Sequence, residues 1–303
     1  MNCFASKPRS NNPKPWGKLL SSLIACSGLN LGTLIGVPPG PAQAQSMEPP
    51  ACPPSGTVST AALLAQFPNS LGGACRSTPS RYVIKVYKMA LCTADPIAGS
   101  TVDLSSCQIT YDNSGGQDAD LYGAGGSSTV DLSSLGSTRP ANGSYSYAYI
   151  QIQNTFGLRN EYATTDTNYT SSSTLDRWGG STAKTSGAAE NYTITMNEFG
   201  GGRCGGSAVL TEGTMSAELV DSSLTPTTYD SGSSSCPGAS YITARMQLNS
   251  PVTITDNTVG LIATFSITNK GSTVVTNDDP FFGPLGVISF DGGPFAVTFN
   301  VVE

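Results

Sequence analysis

Along residues 142–157 apolar and polar positions alternate with a period of two, behind the turn signal Asn142-Gly143. Tyr145, Tyr147 and Tyr149 fall on one face of such a strand, and Ala148, Ile150, Ile152 and Phe156 on the other. The rest of the chain after residue 80 reads in the same style. Residues 81–92, 107–112, 130–132, 192–196, 215–220, 241–248, 252–255, 259–268, 273–276 and 287–290 are short runs rich in β-branched and aromatic residues. The last run, 295–301, sets Phe295, Val297, Phe299 and Val301 against Ala296, Thr298 and Asn300. Many short strands separated by Gly, Ser and Asp predict an all-β fold, an antiparallel β-sandwich of jelly-roll-like character. One short N-terminal helix is expected in 58–71, capped by Ser59 and ended by Pro68. Residues 113–128 read as a Gly/Asp/Ser loop, and 163–190 as a long polar excursion around Trp178.

These patterns divide the chain into a targeting segment, 1–44, an extended stretch with the helix, 45–80, and a β-sandwich, 81–303. The last carries two strand-rich halves, 81–165 and 190–303. Lys7, Arg9, Lys14 and Lys18 precede an interrupted apolar run from 19 to 37, and Ala42-Gln43-Ala44 has the small residues that signal peptidase requires. Cleavage is expected after Ala44. A rival reading takes Leu23-Ile24-Ala25-Cys26 as a lipobox, with Cys26 lipidated; on either reading the protein is secreted or held at the cell surface. No later stretch reaches the roughly 18 apolar residues of a membrane helix, so no transmembrane anchor is expected in the mature chain.

Removal of 1–44 takes four of fifteen basic residues and none of twenty-one acidic ones, leaving a net charge of −10. An acidic chain repels phosphate backbones, which argues against nucleic acid as a partner. Six cysteines remain, Cys52, Cys75, Cys92, Cys107, Cys204 and Cys236. An even number in an exported chain reads as a set of disulfides, and the pairing 52–75, 92–107 and 204–236 is preferred because each bridge then closes one local loop.

Lys88-Met-Ala-Leu-Cys92, Asp131-Leu132 and Gly143-Ser-Tyr-Ser-Tyr147 occur in an order that resembles uncharacterised bacterial secreted or surface β-sandwich domains, over residues 81–157. The resemblance implies a sandwich in the envelope or outside the cell, and it brings no catalytic residue.

The chain has no histidine, which removes Ser-His-Asp and Cys-His catalysis and histidine-ligated metals. Carboxylate chemistry of the glycosidase kind survives, with Glu198, Glu161 and Asp166 as candidates. Asp112, Asp118 and Asp120 crowd a Gly-flexed segment in the manner of a calcium loop, with Asp278-Asp279 as a second candidate. Tyr145, Tyr147 and Tyr149, continued by Gln151 and Gln153, suit a flat stacking platform for surface glycans. The C-terminal strand and residues 45–58 are candidates for pairing with the sheet edge of a neighbouring subunit, that is, for self-association. The sequence therefore points to a non-enzymatic structural or adhesive protein of the bacterial surface or matrix. A carbohydrate-binding module is the alternative, followed by a carboxylate-based glycoside hydrolase.

Overall fold

Strands dominate because few segments offer anything else: β-branched and aromatic residues alternate with Ser, Thr and Asn, and clusters of Gly, Ser and Asp separate most of the runs. The computed structural model describes residues 49–303, apart from 69–72, 100, 123–126, 132–137, 178, 200–201, 211–212 and 282; for 127–131 only the backbone is described. The targeting segment lies outside the described residues. In chain order the elements are α1 (Thr60–Gln66), β1 (Ala74–Ser77), β2 (Arg81–Cys92), β3 (Cys107–Asp120), β4 (Ser127–Asp131), β5 (Gly143–Gln153), β6 (Thr155–Arg159), β7 (Glu161–Ala163) and β8 (Asn168–Leu175). They continue with β9 (Ser181–Lys184), β10 (Tyr192–Thr195), β11 (Gly205–Leu210), β12 (Gly213–Val220), β13 (Tyr241–Ile254), β14 (Gly260–Ser266), β15 (Ser272–Asn277), β16 (Gly286–Gly292) and β17 (Ala296–Val302).

The strands pair antiparallel in three sheets. The largest runs β10-β6-β2-β5-β13-β12-β11, with β3 on the far side of β2; a second runs β1-β15-β16-β9-β8-β7; the third is β17-β14-β4. Tyr82, Ile84, Met89 and Leu91 of β2, Ala148 and Ile152 of β5, and Ile242 and Ala244 of β13 point to one side of the large sheet. There they meet Phe265 and Phe295 near the three-stranded sheet and Val274 and Phe290 of the six-stranded one. Tyr82 sits at this junction. Its ring stands edge-on to Phe156 at 5.9 Å and to Phe295 at 6.1 Å, and its hydroxyl donates to the Gly293 carbonyl at 2.7 Å.

Three disulfides clamp the ends of this structure, Cys52–Cys75, Cys92–Cys107 and Cys204–Cys236. The helix forms where its cap requires: Ser59 Oγ accepts from Ala62 N at 3.2 Å, and the helix stops before Pro68, shorter than the 58–71 expected. Two expected loops are strands instead. Residues 113–120 extend β3 along β2, and the 163–190 excursion contains β8 and β9, with Trp178 outside the described residues. Apart from Tyr169, the buried positions in β8 and β9 are Ser or Thr: Ser171 and Ser181 are fully enclosed, their hydroxyls donating to the Glu190 and Ser172 carbonyls. No apolar alternation marks such strands. Residues 241–248 and 252–255 are one strand, β13, interrupted by a register shift between Gln247 and Val252.

Phe295 joins two sheets through Tyr82 and Phe265. Phe295→Ala is expected to cost about 3–5 kcal/mol in denaturant unfolding, whereas Val259→Ala, at a position 75% exposed, stays within about 0.5 kcal/mol. A loss at Phe295 no greater than that at Val259 would mean that this junction does not hold the sheets together.

Candidate functional site

The tyrosine stripe is built on β5, but its three side chains do not share one environment. Opposite the irregularity in β13, Tyr145 joins the main core beside its pairing partner Val252, and its hydroxyl donates to the Ala141 carbonyl at 2.7 Å. Tyr147 and Tyr149 remain on the outer face of the large sheet, with Ala90 and Cys92 of β2. The loop closed by Cys92–Cys107 folds over them and places Ile97, Val102 and Leu104 against their rings. Arg245, from the neighbouring β13, fastens this cover: its guanidinium Nε lies 2.8 Å from Asp95 Oδ2 and its Cζ 5.7 Å from the Tyr147 ring centroid. Tyr145 and Tyr149 are 3% and 2% exposed, so the expected glycan platform is not open to solvent at these two positions. Burial pushes the Tyr149 hydroxyl upward in pKa. Alternation identified the strand; it carried no information about the loop that packs on it.

Outside the cover the same face carries a different aromatic pair. Tyr87 and Tyr241 meet edge to face at 5.0 Å, both half-buried, with Gln153 paired directly against Tyr241. Tyr87 reaches this position through a bulge, where β2 shifts register against β5 between Val86 and Lys88. Nothing in the alternation marks this bulge; Gln153 belongs to the expected platform, whereas Tyr87 and Tyr241 do not.

Asp112, Asp118 and Asp120 lie on β3 rather than in a metal loop. Asp112 is ion-paired with Lys88, and Asp118 stands 3.9 Å from Lys85, both lysines projecting from β2. Asp120 Oδ1 accepts from the backbone N–H groups of Tyr82 and Tyr122, at 3.3 and 3.0 Å. Among the described residues no group of three acidic, cysteine or histidine side chains is arranged to hold a metal ion. The second acidic pair serves a turn, Asp279 Oδ1 accepting from Phe281 N at 2.9 Å.

The carboxylates considered for catalysis are placed separately. Asp166 Oδ1 accepts from Thr60 N, Thr60 Oγ1 and Thr164 Oγ1 at 2.8, 3.0 and 2.9 Å, tying the start of α1 to the β7–β8 turn. These hydrogen bonds, the one from Thr60 N foremost, hold its carboxyl below the usual range. Glu198 accepts from Gly202 N at 3.1 Å, and Glu161 is exposed on the short edge strand β7. The structure brings a different pair together, Asp176 and Asp291. Asp176 Oδ1 accepts from Gly180 N at 3.0 Å, and a Cβ at Gly180 would fall 1.8 Å from Asp291 Oδ1, so only glycine fits between them. Burial first, then the negative charge of Asp176, pushes the Asp291 carboxyl up to about 6. Paired carboxylates can do acid–base work, yet here the backbone of Gly180 lies against both.

Behind β17 lies an apolar cavity of about 30 Å³, lined by Met89, Met215, Met246, Phe265, Val297 and Phe299 among others. It has room for about one water molecule, far below the roughly 300 Å³ of a small-molecule site. No helix among the described residues is long and apolar enough to cross a membrane. Comparison with known protein families, with curated proteins and with solved structures found no match.

Asp291 sets a pH dependence of defined sign. Its folded pKa is raised, so the native state binds the proton more tightly than the unfolded chain between the ordinary carboxylate range and pH 6. Its destabilising contribution is therefore complete above about pH 6 and fades as pH falls toward 4. Asp291→Asn is expected to raise the melting temperature at pH 7.5, with the difference shrinking on acidification. A variant that melts below wild type at pH 7.5 would contradict the assignment.

Proposed function

We propose that this chain is an exported structural or adhesive protein of the bacterial cell surface or extracellular matrix, one that self-assembles and does not catalyse. The observation that carries the reading is the use made of its reactive side chains. Asp112, Asp118, Asp120 and Asp166 are each engaged in ion pairs or hydrogen bonds within the fold. Six cysteines form disulfides, which persist in oxidising compartments outside the cytoplasm. Much of what remains at the surface is Ser, Thr and Asn on strands, a chemistry suited to lateral contact. Expression of the full chain in a bacterium, followed by protease treatment of intact cells, tests this. The expected result is a protease-accessible protein beginning at Gln45 and lacking free thiols. Retention in the cytoplasm with reduced cysteines would overturn it.

A second reading, a carbohydrate-binding module, is supported by the half-buried Tyr87–Tyr241 pair and the adjacent Gln153. On that reading Tyr241→Ala lowers retention in polysaccharide affinity gels by roughly two- to tenfold, since one aromatic contact contributes about 0.5–1.5 kcal/mol. Equal mobility of variant and wild type across a panel of polysaccharides would dismiss it.

A further inference from the structure

Edges of the three sheets differ in how they are protected. The β1 edge is covered by the segment before it: Cys52 N donates to the Arg76 carbonyl at 2.7 Å and Arg76 N to the Pro50 carbonyl at 2.8 Å. At β7, Gly56 N donates to the Ala163 carbonyl at 2.7 Å and Ala163 N to Ser55 Oγ at 2.9 Å. Along β3 there are three aspartates and two register shifts against β2. β10 has four residues, and β11 begins with two glycines, Phe199 lying against the second. Short length, charge, bulges and covering segments are the usual devices against edge pairing.

β17 has none of these. Its seven residues, Ala-Val-Thr-Phe-Asn-Val-Val, include no charge and no proline, and they pair with β14 without a register shift. β17 ends its sheet: its Val302 carbonyl accepts from Val259 N beside the start of β14, and among the described residues no strand pairs with its other side. Val297, Phe299 and Val301 turn toward the core yet are only half-buried, while Thr298 and Asn300 are exposed. The small apolar cavity lies behind this strand.

We propose that β17 pairs antiparallel with β17 of a second copy of this chain, across a two-fold axis at Phe299, joining two three-stranded sheets into one. The occupant follows from self-complementarity. In that register Phe299 meets Phe299, Val297 meets Val301, and Thr298 meets Asn300, so apolar faces apolar and polar faces polar with no like charges opposed. A chain that is otherwise strongly acidic offers here an uncharged edge that can meet its own copy. Within the N-terminal segment, residues 50–56 are already bonded to β1 and β7 of their own chain. This interface rests on the self-assembling reading above and names its contact surface.

Two variants of exposed side chains test it by sedimentation velocity on the oxidised protein at rising concentration. T298K/N300K opposes lysine to lysine across the axis, and T298K/N300E opposes lysine to glutamate. The expected result is a wild-type dimer, a monomeric T298K/N300K with an unchanged melting temperature, and a dimer again for T298K/N300E. Association of T298K/N300K equal to wild type overturns this interface and leaves self-assembly standing through another surface. A wild type that stays monomeric overturns both, with surface location judged separately by protease accessibility. A monomeric T298K/N300E overturns the register and with it the proposal.

Discussion

The packing of one face of the large sheet against two other sheets is the constraint from which the rest follows. Tyr82 stands where the three meet, buried among Phe156 and Phe295 and hydrogen-bonded to the Gly293 carbonyl. A hydroxyl buried without a partner would be costly, so that bond fixes the ring as well as satisfying it. Because this inner face is shared, the outer face must be covered by something else. The loop closed by Cys92–Cys107 supplies the cover over Tyr147 and Tyr149, held by Arg245 and Asp95. A crosslink at the base of a loop reduces its freedom in the unfolded chain, which lets a small apolar patch hold it in place.

Much of the architecture was legible in the sequence, and the exceptions share a cause. β-Branched alternation located β2, β5 and β17, and the local disulfide pairing followed from the even cysteine count and loop closure. What period two cannot show is a change of phase within one strand. In β2 the inward residues are Tyr82, Ile84 and Val86 before the bulge and Met89 and Leu91 after it. Tyr145 departs from Tyr147 and Tyr149 for the same reason, opposite the shift in β13. Strands that bury mainly Ser and Thr, as β8 and β9 do beside Tyr169, are invisible to a hydrophobicity pattern because the burial of the serines is compensated by hydrogen bonds to backbone.

The candidate sites were less legible, because a side chain's availability depends on neighbours far along the chain. The aspartates of β3 resembled a metal loop until β2 brought Lys88 and Lys85 alongside. Asp166 looked like a free loop acid and is instead the anchor for α1. Conversely, Asp176 and Asp291 are 115 positions apart and meet only because β9 pairs with β16. Most of the candidate acids serve the fold, and of the described edges β1, β3, β7, β10, β11 and β17, the last is the least defended against pairing.

Amide hydrogen exchange of the oxidised wild-type protein, resolved by peptide and followed across protein concentration, tests that assembly most directly. Pairing through β17 predicts protection of residues 296–302 that rises with concentration, while the amides of β2 and β5 stay equally protected throughout. Exchange in 296–302 that is independent of concentration, or protection gained at another edge instead, would contradict it.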